Sequence, residues 1–439
     1  MSNVFAFLFV LGVLVFVHEL GHFVMARLNG VRVLTFSLGF GPKLLATTRH
    51  GTEYCISAIP LGGYVKMAGE TAEDPRSGAP DEFLSKTKWQ RFQVLIMGPL
   101  MNLVLAVVLL TGVFYTGAEV PAYESQPPVV GRVVEKSPAE ESGIRPGDVI
   151  LRVADRDVDT WEQLFIAVTP RAGKDIPIVV RRGGEELSLR VVPESQTKYE
   201  LGEIGVLPEV HPQVRGVTPG DPAALAGLQA GDVILALDRE PVTDSQALVK
   251  SINGSAGKTL TLTVRRAGTP VDLQVTPVKR GDVGRIGVDL SGYETRLIQP
   301  GFFQAIQMSL KRNLELTRAI FDTLRGLFTA ETSPKQLMGP LGIAQLSGGA
   351  FQLGWSALFS LMAMISLNLG LINLMPIPVL DGGHIAIMAL EGVSGRDFSV
   401  RVKERMLLAG FVVLMALMVT VIYNDLTRIT WVERLMPWR

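Results

Sequence analysis

Val15-Phe16-Val17-His18-Glu19-Leu20-Gly21-His22-Phe23 places two imidazoles and a carboxylate inside an otherwise apolar run. The run, Phe5 to Met25, contains no Lys or Arg and is long enough to cross a bilayer as a helix. At helical spacing His18 and His22 stand four residues apart, so both project from one face and can grip one metal ion. Glu19, one residue along, is placed to take a proton from water at the metal rather than to ligate. Each ionisable group at membrane depth costs about 2.5–3.5 kcal/mol on insertion scales, so three in five residues point to a function and not to an accidental match. The run lacks a basic flank and a small-x-small cleavage site, and it reads as a retained transmembrane helix over residues 1–27.

A catalytic site of this kind needs a third protein ligand, and the far end of the chain offers one. Asn368-Leu369-Gly370-Leu371-Ile372-Asn373-Leu374-Met375-Pro376-Ile377-Pro378-Val379-Leu380-Asp381-Gly382-Gly383-His384 closes a third apolar span, residues 352–375. Its two prolines must interrupt the helix. Asp381 then precedes two glycines that allow close backbone approach. A carboxylate there completes a His2Asp set with a fourth position open for water. His384 competes for the same role, orients that carboxylate, or faces the interface. Zinc, one per chain, is inferred from the ligand types.

The rest of the 439 residues frames these clusters. A mean hydropathy of +0.30 with 19% charged residues indicates membrane spans mixed with soluble parts. Forty-two basic and 42 acidic residues cancel, which suggests no nucleic-acid partner, and the single Cys55 excludes an intrachain disulfide. Further apolar spans are expected at 92–117 and 406–424. Asn102 is a polar intrusion in the first of these, either bonding a neighbouring helix or supporting the active site.

Residues 28–91 change character. Gly39-Phe40-Gly41-Pro42 and Arg49-His50-Gly51-Thr52 read as turns, with Glu53–Ile59 as a strand and Pro60-Leu61-Gly62-Gly63-Tyr64-Val65-Lys66-Met67 after it. The segment is expected to form β-hairpins near the membrane, where an edge strand could pair with an extended peptide, or else to be a plain connecting loop. His50 belongs to a turn and reads as a surface residue. Residues 71–90 are polar and Pro-containing and are expected to form a mobile loop.

The middle third repeats itself. Ser137-Pro138-Ala139 through Gly147-Asp148-Val149-Ile150-Leu151 recurs as Asp221-Pro222-Ala223 through Gly231-Asp232-Val233-Ile234-Leu235. Two tandem units, 127–208 and 209–292, follow, each resembling a PDZ domain of the kind attached to bacterial proteases. Such domains capture extended peptides at a groove, or act as a spacer or size filter. Their ligands are unknown, and His211 at the junction reads as structural. Residues 300–330 have the pattern of an amphipathic helix lying along the membrane surface. Residues 376–405 read as a loop carrying the Leu380-Asp381-Gly382 motif.

His18-Glu19-x-x-His22, Asn373-x-x-Pro376-x-Pro378-x-Leu380-Asp381-Gly382 and the inserted PDZ pair resemble the site-2 protease family of intramembrane zinc metalloproteases. The subgroup with two PDZ units and four spans regulates the sigma-E envelope-stress response. The resemblance covers essentially the whole chain. It implies a polytopic α-helical membrane protein with four transmembrane helices, a membrane-associated β-hairpin region and two inserted α+β PDZ-like domains. It also implies that His18, His22 and Asp381 bind zinc, that Glu19 is the base, and that Asn373 engages or positions the substrate backbone. Gly39, Phe40 and Gly41 resemble the family's membrane-reentrant β-loop, and Gly62, Gly63 and Tyr64 its following hairpin, both set beside the substrate. Implied partners are the lipid bilayer and single-span membrane proteins, such as an anti-sigma factor already cut on its periplasmic side or a signal-peptide remnant.

Charge gives an orientation. Nine Lys or Arg between Arg27 and Arg91, with Arg396, Arg401, Lys403 and Arg405 in the later loop, mark cytoplasmic segments. Both termini and the PDZ pair are then outside, against which Arg428, Arg434 and Arg439 speak mildly. The expectation is a Gram-negative inner membrane, periplasmic PDZ domains and an active site nearer the cytoplasm. A PDZ scaffold with an inactive metal site has no need of Glu19 at that depth. A zinc transporter is disfavoured by the lack of an inverted repeat.

Overall fold

The computed structural model describes residues 2–70, 78–195, 200–329 and 331–428. Helix α1 (Ser2–Leu28) turns one stripe at four-residue spacing inward: Ala6, Val10, Leu14, His22 and Ala26 are buried and His18 is partly so. The two histidines thus lie on the face that packs inward, between the fully covered Leu14 and Ala26. Helix α2 (Lys88–Thr116) opens on a capping box in which Thr87 and Gln90 bond each other reciprocally. Its matching stripe is Val94, Gly98, Asn102, Ala106 and Leu110. Two glycines let the helices meet: a Cβ on Gly21 would lie 2.4 Å from the Met97 carbonyl oxygen, and one on Gly98 2.2 Å from His22 Nε2.

Between these helices, β1 (Val33–Arg49) and β2 (Thr52–Met67) fold into one bent sheet. Residues 33–38 pair with 63–67 on one side (Val33↔Met67, Leu38↔Gly63) and with 53–56 on the other (Thr35↔Glu53, Leu38↔Ile56). Residues 43–49 pair back on 52–57. The expected turns are present. His50 and Gly51, both at positive φ, close the Arg49↔Thr52 hairpin, the geometry of a type I′ turn. Gly39 and Gly41, also at positive φ, let the chain double back at 39–42. The inner half of the sheet packs with Phe23, Ala26 and Val94, whereas the outer half leaves Phe40, Leu44, Leu45, Ile56 and Ile59 uncovered. So large an apolar surface suits lipid rather than water. Of the stretch read as a mobile loop, 71–77 lies outside the described residues. The remainder is anchored, because Phe83 buries its ring in the cluster beneath the sheet.

Residues 119–298, with 326–333, form a separate compact unit. Its two halves repeat each other element by element, 84 residues apart as Ser137 and Asp221 are. Helices α3 (Pro138–Glu141) and α4 (Trp161–Val168) match α5 (Pro222–Leu225) and α6 (Ser245–Asn253). Strands Val149–Val153, Ile176–Arg182 and Glu185–Val191 match Val233–Leu237, Leu260–Arg266 and Thr269–Val275, antiparallel in both halves. Each half closes over its own core, one around Trp161, Ile150 and Ile178, the other around Ile234, Leu248 and Leu262. Asp148 accepts two bonds from Arg182 (2.7 Å each), and Asp232 is held in the same way by Arg266.

The chain then returns to the helical unit as α7 (Phe302–Phe328), α8 (Pro340–Leu353), α9 (Trp355–Asn373), α10 (Asp381–Ser394) and α11 (Val400–Thr427). Four helices among the described residues (α1, α2, α9 and α11) are long and apolar enough to cross a bilayer. Helix α7 runs antiparallel along α2: Phe302 meets Tyr115, and Ser309 donates to the Val107 carbonyl at 2.8 Å. Its small and polar stripe of Ala305, Ser309 and Asn313 permits that approach. Pro340 opens α8. The loop expected at 376–405 contains α10, whose first turn packs on the preceding bend. There a Cβ on Gly382 would come within 2.3 Å of Leu374, and one on Gly383 within 2.0 Å of the Ile377 carbonyl.

Candidate metal centre

The two distant motifs meet. His18 Nε2 and His22 Nε2 are 3.2 Å apart, and Asp381 Oδ2 lies 3.3 Å from the first and 3.4 Å from the second. A tetrahedral zinc ion with bonds of about 2.0–2.1 Å holds its ligand atoms about 3.3–3.4 Å apart, so this donor triangle has the dimensions and the chemistry of a zinc site. Each donor is positioned by its element: the histidines by the inward stripe of α1, Asp381 by the first residue of α10. His22 is fixed further by its Nδ1, 2.8 Å from the Val94 carbonyl of α2. Pro99, inside α2, leaves one backbone bond of that helix unmade.

Glu19 is buried but stands outside the triangle, on the side of α1 that faces the sheet. Gly63 lies directly over it. A Cβ there would sit 2.7 Å from the Ser37 carbonyl, 2.8 Å from Val15 and 3.0 Å from Glu19 Cγ. Gly39 and Gly62 are equally confined, the first by Ser57 and Ile59, the second by the Phe40 ring. Phe40 stacks on Tyr64 with centroids 6.1 Å apart, and Gly41 approaches Ile59. Gly63 thus carries its strand past Glu19, with Gly62 and Tyr64 on either side of it in sequence, while Phe40 and Gly41 stand at the sheet's exposed bend. Asn373 occupies the last turn of α9, just before the bend that carries Asp381.

The other histidines separate from the site. His384 is exposed and does not join the His18, His22, Asp381 group. His50 is an exposed turn residue, and His211 Nδ1 bonds the Val242 carbonyl at 2.7 Å. Sequence reasoning singled out Asn102 without settling its role, and it passed over Val94 and Gly98. The signal for the latter was available, since a Gly-Pro pair inside a span marks a close helix contact.

The sequence model of peptidase family M50 matches residues 6–417. The chain belongs to peptidase family M50. Among curated M50 relatives, the regulator of sigma-E protease RseP of Escherichia coli (strain K12) is 34% identical over 450 residues, 97% of this chain and 98% of that protein. The regulator of sigma E protease of Salmonella typhi is 34% identical, covering 97% of this chain and 99% of its own. A Vibrio cholerae protein provisionally named a zinc metalloprotease is 31% identical, at 97% and 99%. The PDZ domain of an SdrC-like protein from Listeria monocytogenes aligns with 19% of this chain and 90% of its own at 22% identity, with a TM-score of 0.18, too low to establish a shared fold. As an M50 peptidase with four apolar helices, the chain is a zinc metalloprotease of the site-2 type, embedded in a membrane.

Proposed function

We propose that the chain hydrolyses a peptide bond within or near the membrane span of single-span proteins, with His18, His22 and Asp381 holding one zinc ion and Glu19 acting as base. The observation that carries this reading is the donor triangle, built from two segments more than 350 residues apart, with a buried carboxylate beside it. A zinc ion held there supplies Lewis acidity to the scissile carbonyl. Glu19 takes a proton from the attacking water and returns it to the leaving nitrogen. The substrate helix must first unwind, because a helical peptide bond is shielded by its own hydrogen bonds. Residues 63–65 pair with 36–38 and pass over Glu19, so this strand is suited to hold the unwound segment extended, with Asn373 as a polar contact. Phe40 and its glycines line the same approach.

The substrates we infer are an anti-sigma-like protein already shortened outside the membrane, and signal-peptide remnants. The duplicated modules act as PDZ domains that bind or filter them. The positive charges between Arg27 and Arg91 and in the 376–405 segment favour a cytoplasmic position for both. Termini and PDZ pair are then periplasmic in a Gram-negative inner membrane. Arg434 and Arg439, which weigh against this, lie outside the described residues.

A single-span reporter reconstituted with the purified protein tests the reading. Wild type is expected to cut within the reporter's span, while Glu19→Gln retains zinc and loses cleavage by at least about a thousandfold. Cleavage that survives Glu19→Gln would exclude this mechanism. Zinc transport into vesicles without cleavage would favour a transporter.

A further inference from the structure

The two histidines of the site are held differently at their outer nitrogens, and the difference exposes a role for α2. A neutral imidazole carries one N–H. When Nε2 gives its lone pair to a cation, the hydrogen is on Nδ1 and needs an acceptor. His22 has one, the Val94 carbonyl at 2.8 Å. At His18 the group opposite Nδ1 is the side-chain amide of Asn102, with Nδ2 3.3 Å away. In that orientation two donors would face each other once His18 ligates through Nε2.

Asn102 is fully buried, and its Oδ1 has no hydrogen-bond partner. The two ends of a carboxamide have nearly the same shape, so a half-turn about the last side-chain bond exchanges Nδ2 for Oδ1 at no steric cost. Asn102 is well placed for this, because its backbone carbonyl is pinned by the Ser366 hydroxyl of α9 at 2.8 Å. Val94, Gly98 and Asn102 are successive members of the α2 stripe that faces His22 and His18. Near His22, Gly98 lets the helices approach until a main-chain carbonyl serves. One turn farther along, a side chain must bridge to His18.

We propose that Asn102 is a positioning residue: its Oδ1 accepts the Nδ1–H of His18 and fixes the ring in the tautomer that offers Nε2 to the metal. This rests on His18 being a ligand. Loss of such an outer partner costs about 10–100-fold in metal affinity. A contact that merely joins α1 to α2 would instead require Asn102 to be a donor, and the two roles separate by substitution.

The experiment is a zinc-affinity measurement on the full-length, detergent-purified protein by competition with a chelator, for wild type, Asn102→Leu, Asn102→Asp and Asp381→Ala. The visible spectrum of the cobalt-loaded forms and the thermal unfolding of the metal-free forms are recorded alongside. Asn102→Leu is expected to bind zinc about 10–100-fold more weakly and to alter the cobalt spectrum, with metal-free unfolding unchanged. Asn102→Asp, which can only accept, is expected to keep wild-type affinity and spectrum. Unchanged affinity in Asn102→Leu, or an equal loss in Asn102→Asp, would overturn the proposal. Wild-type affinity in Asp381→Ala would instead overturn the ligand assignment beneath it.

Discussion

Glycine, more than any charged residue, decides whether the site can assemble. Gly63 presses strand 62–67 onto Glu19, and Gly98 presses α2 onto His22, each with no room for a single added carbon. We expect Gly63→Ala to leave zinc content intact and to lower turnover on the order of 10–100-fold, because the added methyl displaces Glu19 by a few tenths of an ångström or more. Single-turnover cleavage compared with zinc content checks this. Gly98→Ala is expected to fail earlier, at metal binding, since its methyl meets the imidazole itself. Zinc retained at wild-type affinity in Gly98→Ala would show that the helices can part without loss of the ligand set. The grouping of His18, His22 and Asp381 was legible from residue types and motif spacing. Val94 and Gly98 were not, because a carbonyl carries no side-chain identity and the meaning of a glycine depends on what it faces.

Elements with strong local signals were read correctly: α1, α2, α9 and α11 from their apolar length, and the Arg49–Thr52 turn from its glycine. The segment misread as a loop carried a local signal open to two meanings. Gly382-Gly383 reads as loop, yet packing of the first turn on Leu374–Pro378 overrides poor helix propensity. The start of α8 is capped from far away. Asp425, near the end of α11, accepts from the amides of Gly339, Leu341 and Gly342 at 3.0–3.1 Å. Asn424 donates beside it to the Pro334 carbonyl at 3.0 Å. Asp425→Ala is therefore expected to destabilise the helical unit by about 1–3 kcal/mol, read as a lower unfolding temperature in detergent. An unchanged temperature would mean that water replaces this cap.

The duplicated unit and the helical unit respond to different conditions. Burial alone would raise the carboxyls of Asp148 and Asp232, but the guanidinium bonds from Arg182 and Arg266 outweigh it and hold both below the ordinary range. An unfolded carboxyl takes up its proton near pH 4, so the stability linked to these pairs is present above that pH. It is lost as the pH falls further. Hydrogen exchange in segments 119–298 of the full chain is expected to quicken below about pH 4, and less so in a double Asp148→Asn, Asp232→Asn variant, which is already weakened at neutral pH. The repeat behind this symmetry was visible in the sequence at 84-residue spacing, whereas the packing of α7 along α2 depended on partners far apart in the chain. The same dependence makes the metal centre the most telling object to measure, because it exists only if residues 18–22 and 381 come together. Zinc stoichiometry by elemental analysis, on wild type, His22→Ala and Asp381→Ala purified alike, is the direct measurement. The account predicts about one zinc per wild-type chain and its loss in both variants. Full zinc in Asp381→Ala would contradict it.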